Sequence, residues 1–269
     1  MPKKKQQPKS ATPHDRNFCD IASKFKNNIY GTTKGKIREA VLQRDLNEIL
    51  SKLNQSAPLR ILDVGGGQGQ LALYLANQGH QVTLIDISEQ MLSLAKERSI
   101  DANLSKTMTF IHAPLQAIPK LNLGQFDLVM CHAVLEWVVE QPEALGILHA
   151  SLKPNGILSL MYFNKSAQRL ANMVYGNFDY VANGLKVKQK VGLSPNQPLE
   201  SEHVDQWLQE LNLNQISKTG VRCFHDYLRD LDKAESQFDE LLAMELKYNQ
   251  IEPYASIGRY THLVLNHKN

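Results

Sequence analysis

The chain has 269 residues, of which 42% are hydrophobic, so it can bury a sizeable core. It contains no apolar run near the roughly 18 residues that a membrane-spanning helix needs. The net charge of +3 comes from Lys3, Lys4, Lys5 and Lys9, without which it would be −1, so composition excludes a strongly basic nucleic-acid binder and any RNA contact must use local patches.

The N-terminal segment MPKKKQQPKSATP is basic and has no apolar stretch behind it. It is therefore not a secretory signal, and we expect residues 1–14 to form a disordered basic arm. The three cysteines, Cys19, Cys131 and Cys223, are isolated and odd in number. That usage is typical of reduced thiols and predicts a cytoplasmic protein.

Strand and helix patterns alternate along the first part of the chain. Two leading helices are predicted at 17–29 and 33–53, the second with an apolar face. Strands are predicted near 59–64, 81–86, 107–112, 126–131 and 156–163, with helices near 69–78, 89–98 and 140–152. Ser88 is a candidate N-cap, and Gly79 and Pro154-Asn155-Gly156 are stop or turn signals. The alternation favours a parallel sheet with helices on both faces.

The pattern changes after residue 163. A short helix is predicted within 164–200 and a longer one at 201–211, followed by late strands at 213–224 and 256–266 with a helical insert near 234–249 between them. The sequence shows no internal repeat and no linker. We therefore expect one domain over 15–269, with N-terminal helices and insertions near 164–200 and 230–250.

The most informative motif is LRILDVGGGQG at residues 59–69, an apolar strand ending in Asp63 and followed by alternating glycines. In the dinucleotide-binding fingerprint G-x-G-x-x-G, the third glycine would stand at residue 70, which is Gln70 here, so the motif differs from that fingerprint. A second acid, Asp86, closes the next strand, where a ribose diol would be recognised. This combination resembles class I S-adenosylmethionine-dependent methyltransferases. The resemblance implies a Rossmann-like α/β fold with a mostly parallel seven-stranded sheet and a late antiparallel strand.

Longer strings outside that motif carry a more specific resemblance. They are RNFCDIASKFKNNIYGTTKGKIREAVL, CHAVLEWV, MVYGNFDYV, KTGVRCFHDYLR and EPYASIGRYTHL. From about Asp15 to His267 the chain is similar to the bacterial tRNA 5-carboxymethoxyuridine methyltransferase family. The resemblance implies methylation of the carboxylate of 5-carboxymethoxyuridine at the anticodon wobble position. It also implies a tRNA partner, bound through the anticodon stem-loop, and involves no membrane. Which tRNA isoacceptors are used, and the oligomeric state, stay open.

The same resemblance implies a cofactor site for S-adenosylmethionine and no metal. Its residues are Arg38, Gly65, Gly66, Asp86, Leu115, Gln116 and His132. The stretch HAPLQAIPK departs from many methyltransferases because it lacks an acid that could contact adenine. Simpler interpretations exist: Arg38 as a solvated helix charge, His132 as a structural histidine, and Glu136 and Trp137 as residues that cap and pack the following helix.

The acceptor side is predicted from the residues themselves. An ionised carboxylate needs no general base, only positioning by a cation and hydrogen-bond donors. The catalytic candidates are Arg222, His225, Tyr227 and Tyr30. Trp137, Tyr175 and Tyr260 are candidates for stacking on an everted uridine, and Lys186, Lys188 and Lys190 for phosphate contacts. Core packing and a solvated loop are the competing interpretations of these two groups.

Two rival functions share the cofactor site. One is a methyltransferase acting on a small carboxylate or hydroxyl, which absence of stable tRNA binding would favour. The other is a cofactor-binding protein without catalysis, which tight cofactor binding without methyl transfer to RNA would favour.

Overall fold

The computed structural model describes residues 31–53, 57–186, 195 and 197–268. Predictions for the basic arm 1–14, the helix 17–29, Cys19, Tyr30, Lys188 and Lys190 lie outside the described residues. The α-helices of the first part of the chain, before residue 152, are α1 (Thr33–Lys52), α2 (Gln70–Ala76), α3 (Glu89–Asp101) and α4 (Gln141–Ala150). Those after residue 163 are α5 (Lys165–Val174), α6 (Phe178–Ala182), α7 (Ser201–Glu210), α8 (Lys233–Ser236), α9 (Phe238–Tyr248) and α10 (Tyr254–Ile257).

Within the described ranges, seven strands form one sheet in the order β3-β2-β1-β4-β5-β7-β6. They are β1 (Arg60–Val64), β2 (Gln81–Asp86), β3 (Met108–His112), β4 (Phe126–His132), β5 (Leu152–Phe163), β6 (Leu213–Val221) and β7 (Tyr260–His267). Strands β1 to β5 pair in parallel, and β7 runs antiparallel to both β5 and β6. The predicted fold class, including the late antiparallel strand, is confirmed.

Helices cover both faces of the sheet. One hydrophobic cluster places α1, α2 and α3 against one face, and a second places α4 and α7 against the other. Helix α1 begins where the Thr32 side chain accepts a hydrogen bond from Gly35 N, and its apolar positions recur at helical spacing. Ser88 caps α3 through the amide of Met91, as predicted. The core is thus a sheet buried on both sides, which leaves the strand ends to form a site.

The last strand begins at Tyr260 rather than near residue 256, because Tyr254–Ile257 form α10. Two other regions also differ from the prediction. Strand β5 begins at Leu152, ahead of the Pro154-Asn155-Gly156 turn rather than after it. Phe126 pairs with Leu152 while Leu128 pairs with Ile157, so the turn residues bulge out between two paired sections. The second difference is that the region 164–200 holds two short helices, α5 and α6, where one was predicted.

Among the described residues, no helix is both long enough and apolar enough to cross a membrane. The division of the chain into an arm and one domain stays a prediction.

Candidate functional site

A cavity of about 240 Å³ opens at the carboxyl ends of the parallel strands, beside α1. Its wall contains all seven predicted cofactor residues: Arg38, Gly65, Gly66, Asp86, Leu115, Gln116 and His132. Glu136, Trp137 and Tyr260, named as candidates on other grounds, lie in the same wall. Residues that are up to 222 positions apart in sequence therefore meet at one edge of the sheet, which is where ligands bind in open α/β folds.

The glycine loop after β1 forms the floor of this cavity. Gly65, Gly67 and Gly69 have φ angles of +68°, +57° and +75°, in the left-handed region that favours glycine. A Cβ added at Gly66 would overlap the carboxylate of Asp63. The loop is therefore restricted to glycine both by conformation and by space, which lets a ligand approach its backbone closely.

Asp86 holds the loop in place. Its Oδ2 accepts from the amide of Gly67 at 2.9 Å and its Oδ1 from the amide of Ser88 at 2.8 Å. Burial raises the pKa of Asp86, while these two amides and the charge of His112 act in the opposite direction. Each carboxylate oxygen keeps a second lone pair, so Asp86 can still accept from a ligand hydroxyl.

Two further acids in the wall are deeply buried. Burial, and then the charge of Asp86, raise the pKa of Asp63 to about 7. Burial raises the pKa of Glu136 to about 8, against the charge of Arg38 and backbone amide donors, and Glu136 Oε2 has no hydrogen-bond partner among the described residues. Three carboxyl groups with raised pKa values, beside one guanidinium, suit a ligand that carries cationic centres together with one carboxylate.

The remaining wall is largely apolar. Leu115 is buried in the core at the start of the 3₁₀ turn Leu115–Lys120, and Gln116 follows it into the wall. Ile87, Met91 and Val138 add apolar surface nearby. No acid lies in the described segment 112–118, as the sequence indicated. A flat aromatic ligand group would be held there by packing and by backbone contacts.

His132 is attached to a buried chain of polar residues that the sequence analysis missed. Its Nε2 lies 2.8 Å from Ser159 Oγ, which lies 2.8 Å from His262 Nε2, and His262 Nδ1 lies 2.7 Å from Asp45 Oδ2. Burial, and then the charges of His262 and Arg38, hold the pKa of His132 well below its usual value. His132 is therefore neutral near pH 7. One signal was available in the sequence, because Asp45 interrupts the apolar face of α1.

Of the predicted acceptor residues, Arg222, His225 and Tyr227 lie together, outside the wall of the cavity. Arg222 Nη2 lies 2.6 Å from Asp226 Oδ2, so its charge is already paired. His225 is buried with its Nε2 3.0 Å from Thr33 Oγ1. The Tyr227 hydroxyl donates to the Ile257 carbonyl, and burial raises its pKa to about 12. Their assignment as catalytic residues stays a prediction.

Glu245, also missed, organises this segment. Its carboxylate accepts from the amides of Cys223, Phe224 and His225 at 2.7 to 3.0 Å. Of the other acceptor-side candidates, the Tyr175 hydroxyl donates to the Asp226 carbonyl and Lys186 is exposed. The three backbone bonds to one buried acid fix the turn that carries the acceptor candidates.

The described residues contain no group of three His, Cys, Asp or Glu side chains that could hold a metal ion.

A family model described as a methyltransferase domain matches residues 62–160. The tRNA 5-carboxymethoxyuridine methyltransferase of Escherichia coli strain K12 is 45% identical over 249 residues, covering 93% of this chain and 95% of that protein. The ubiquinone biosynthesis O-methyltransferase of Psychrobacter cryohalolentis is 31% identical over 117 residues, 44% of this chain and 46% of that protein.

A solved structure shares the fold. The plantazolicin methyltransferase BamL, in complex with a triazolic desmethylPZN analog and SAH, aligns with a TM-score of 0.60 over 92% of this chain and 91% of that one. At 18% identity this likeness concerns the fold alone.

Proposed function

The chain belongs to the tRNA 5-carboxymethoxyuridine methyltransferase family, and on that premise we propose that it methylates the carboxylate of 5-carboxymethoxyuridine at the wobble position of tRNA, forming the methyl ester. The observation that carries the proposal is the 45% identity that extends over 95% of the relative's length. At 249 residues, the match extends far beyond the methyltransferase core at 62–160. The methyl donor is S-adenosylmethionine, which supplies its sulfonium methyl group.

The cavity wall fits that cofactor on two counts. The glycine loop offers backbone amides with no Cβ at Gly66, so the methionine part can lie against the backbone. Buried acids with raised pKa values would be stabilised in their ionised form by a cation, and the cofactor carries both a sulfonium and an ammonium group. Bound S-adenosylmethionine would thereby supply positive charge that favours the ionised forms of Asp63 and Glu136.

Each predicted cofactor residue has a role that its position supports. Arg38 would bind the cofactor carboxylate through its planar fork, and Asp86 would accept from the ribose hydroxyls. Gly65 and Gly66 would admit the backbone of the methionine part. Leu115 and Gln116 would frame the adenine, and His132 would present a neutral ring held by Ser159.

The acceptor chemistry asks little of the protein. A carboxylate of ordinary pKa is ionised near neutral pH, so no general base is required. The protein must align one carboxylate oxygen with the methyl group and exclude water. Arg222 lies over the ring of Tyr260, which is in the cavity wall, and in this proposal Arg222, His225 and Tyr227 would shape the region that holds the acceptor. A tRNA substrate also makes the cytoplasm of a bacterium the place of action.

The experiment that tests the function compares tRNA from cells with and without the gene. Nucleosides from digested tRNA are separated and identified by mass. We expect the methyl ester of 5-carboxymethoxyuridine to disappear and the free acid to accumulate when the gene is absent. An unchanged nucleoside profile would favour a small-molecule acceptor, or a cofactor-binding protein without catalysis, and would refute the tRNA assignment.

A further inference from the structure

Two arginines stand side by side where β6 and β7 meet the cavity edge. Val221, the last residue of β6, pairs with Tyr260, the first residue of β7, so Arg222 and Arg259 flank that pair. The amide of Arg259 donates to the carbonyl of Arg222 at 3.2 Å. A Cβ at Gly258 would lie 2.5 Å from Val221 N, so only glycine permits this close approach of the two chain segments.

The two guanidinium groups are used differently. Arg222 donates to Asp226 Oδ2 through Nε at 3.0 Å and Nη2 at 2.6 Å, and only 14% of its side chain is exposed. The Nε of Arg259 lies 3.9 Å from the same oxygen, which is beyond hydrogen-bond distance. Among the described residues, the Arg259 side chain makes no hydrogen bond, and 28% of it is exposed. Its donors are therefore available to a ligand.

Arg259 is nevertheless held in place. Its guanidinium lies over the Phe163 ring, 5.0 Å from the centroid, and the Phe163 ring packs edge-on against Tyr260 at 5.4 Å. Tyr260 in turn lines the cavity, and Arg222 lies over its ring at 5.5 Å. Stacking on an aromatic ring restricts a guanidinium without consuming its hydrogen bonds, which preorganises it for a planar anion.

The side chains of Arg222, Arg259 and Asp226 together carry a net charge of +1 when Asp226 is ionised. Burial would raise the pKa of Asp226, but the His225 ring nitrogen 3.5 Å away and the charges of Arg222 and Arg259 hold it well below its usual range. Asp226 is therefore ionised at any working pH. Two guanidinium groups around one carboxylate leave room for one further anion, in a partly desolvated position where charge pairing is strengthened.

We propose that Arg259 binds the oxyacetate carboxylate of the acceptor nucleoside and so positions it for methyl transfer. The inference rests on the proposed function and refines its acceptor side. Arg222 then acts as a positioning residue, because it anchors Asp226, which faces Arg259. Plain uridine has neither the anion that Arg259 would bind nor the oxygen that would be methylated, so tRNA with unmodified uridine reports on contacts other than this one.

The test uses the full chain with three variants. Arg259→Met keeps an unbranched apolar stem and removes the guanidinium group with its charge, and Arg259→Lys keeps the charge and removes the planar fork. Arg169→Met is the matched control. Arg169 lies on α5, is partly exposed, and its Nη2 is 2.7 Å from Glu200 Oε1. The steady-state kcat/KM for methylation is measured on tRNA that carries the free acid, and affinity is measured for S-adenosylmethionine and for tRNA with unmodified uridine.

We expect Arg259→Met to lower kcat/KM for methylation of modified tRNA by about 10- to 100-fold. Arg259→Lys should fall between it and wild type, and Arg169→Met should match wild type. Affinities for S-adenosylmethionine and for unmodified tRNA should be unchanged in all three, which also shows that the variants are folded.

Two results would overturn the inference while leaving the proposed function intact. One is wild-type kcat/KM in Arg259→Met. The other is an equal loss of affinity for unmodified tRNA, which would mean that Arg259 contacts a backbone phosphate. A wild-type protein that methylates no carboxymethoxyuridine refutes the proposed function itself, and the inference with it.

Discussion

Asp45 and His262 form a buried pair across the fold, with His262 Nδ1 2.7 Å from Asp45 Oδ2 and 1% or less of either side chain exposed. Burial would raise the pKa of Asp45, but His262 and Arg44 outweigh it and hold the pKa below the ordinary value. The Ser159 hydroxyl has a single proton between two histidine rings, so it donates to one and accepts from the other. The pair thus connects α1 and β7 to His132 in the cavity wall.

Replacing Asp45 should lower the free energy of unfolding more than replacing an exposed acidic residue does. In Asp45→Ala the buried His262 ring loses its partner and the Arg44 guanidinium loses one of its acceptors. Breaking a buried pair in this way costs about 3–5 kcal/mol. Asp45→Asn, which keeps one oxygen, should cost less. Urea unfolding measures the free energies, with Asp101→Ala as the control because Asp101 is exposed at the end of α3. Equal stability of Asp45→Ala and Asp101→Ala would show that the pair contributes nothing.

Gly66→Ala should abolish most cofactor binding. The new Cβ would overlap the Asp63 carboxylate, so either the loop or the buried acid must move. Gly146→Ala is the matched control. Gly146 lies within α4 and an added Cβ meets nothing within 4 Å, so this change should stabilise the helix by about 0.5–1 kcal/mol. Calorimetric titration with S-adenosylmethionine separates the two. Normal binding by Gly66→Ala would show that the loop is not the cofactor cradle.

Cofactor affinity should also depend on Arg38 and Asp86. Losing one charged hydrogen bond costs about 1.5–3 kcal/mol, so Arg38→Ala and Asp86→Asn should each weaken S-adenosylmethionine binding roughly 10- to 100-fold. The controls are Lys34→Ala, on the exposed side of α1, and Asp101→Asn, at the exposed end of α3. Wild-type dissociation constants for Arg38→Ala and Asp86→Asn would remove both residues from the site.

The affinity for S-adenosylmethionine should rise with pH between about 6 and about 8. Asp63 and Glu136 have raised pKa values of about 7 and about 8, so at lower pH both are protonated in the free protein. A cation favours their ionised forms, and each group that must lose a proton on binding contributes up to tenfold per pH unit below its pKa. Glu136→Gln should remove the upper part of this dependence.

S-adenosylhomocysteine is the control ligand for the pH dependence. It keeps the ammonium and carboxylate groups but has a neutral thioether in place of the sulfonium. Its affinity should therefore change less steeply with pH. Identical slopes for the two ligands would mean that the buried acids do not face the sulfonium.

The sequence predicted features that depend on local spacing. The glycine loop and the strand-end acids Asp63 and Asp86 follow from a motif and from βα alternation, because neighbouring parallel strands bring their ends together. The full set of seven cavity residues was predicted only from the resemblance to a known family. Asp45 and His262 could not be paired in this way, since 217 residues separate them and nothing local links them. The availability of Arg259 depends on the register of β6 against β7. Arg222 and Asp226, four residues apart, formed a pair that local reasoning could have found.

Methyl transfer by the purified protein to defined tRNA tests the proposed activity itself. Wild-type protein is incubated with isotopically labelled S-adenosylmethionine and tRNA that carries 5-carboxymethoxyuridine or unmodified uridine at the wobble position. We expect one labelled methyl group per modified tRNA, recovered as the methyl ester after digestion, and no label in the unmodified tRNA. Equal labelling of both tRNAs, or label released only from a small acid while tRNA stays unlabelled, would contradict it.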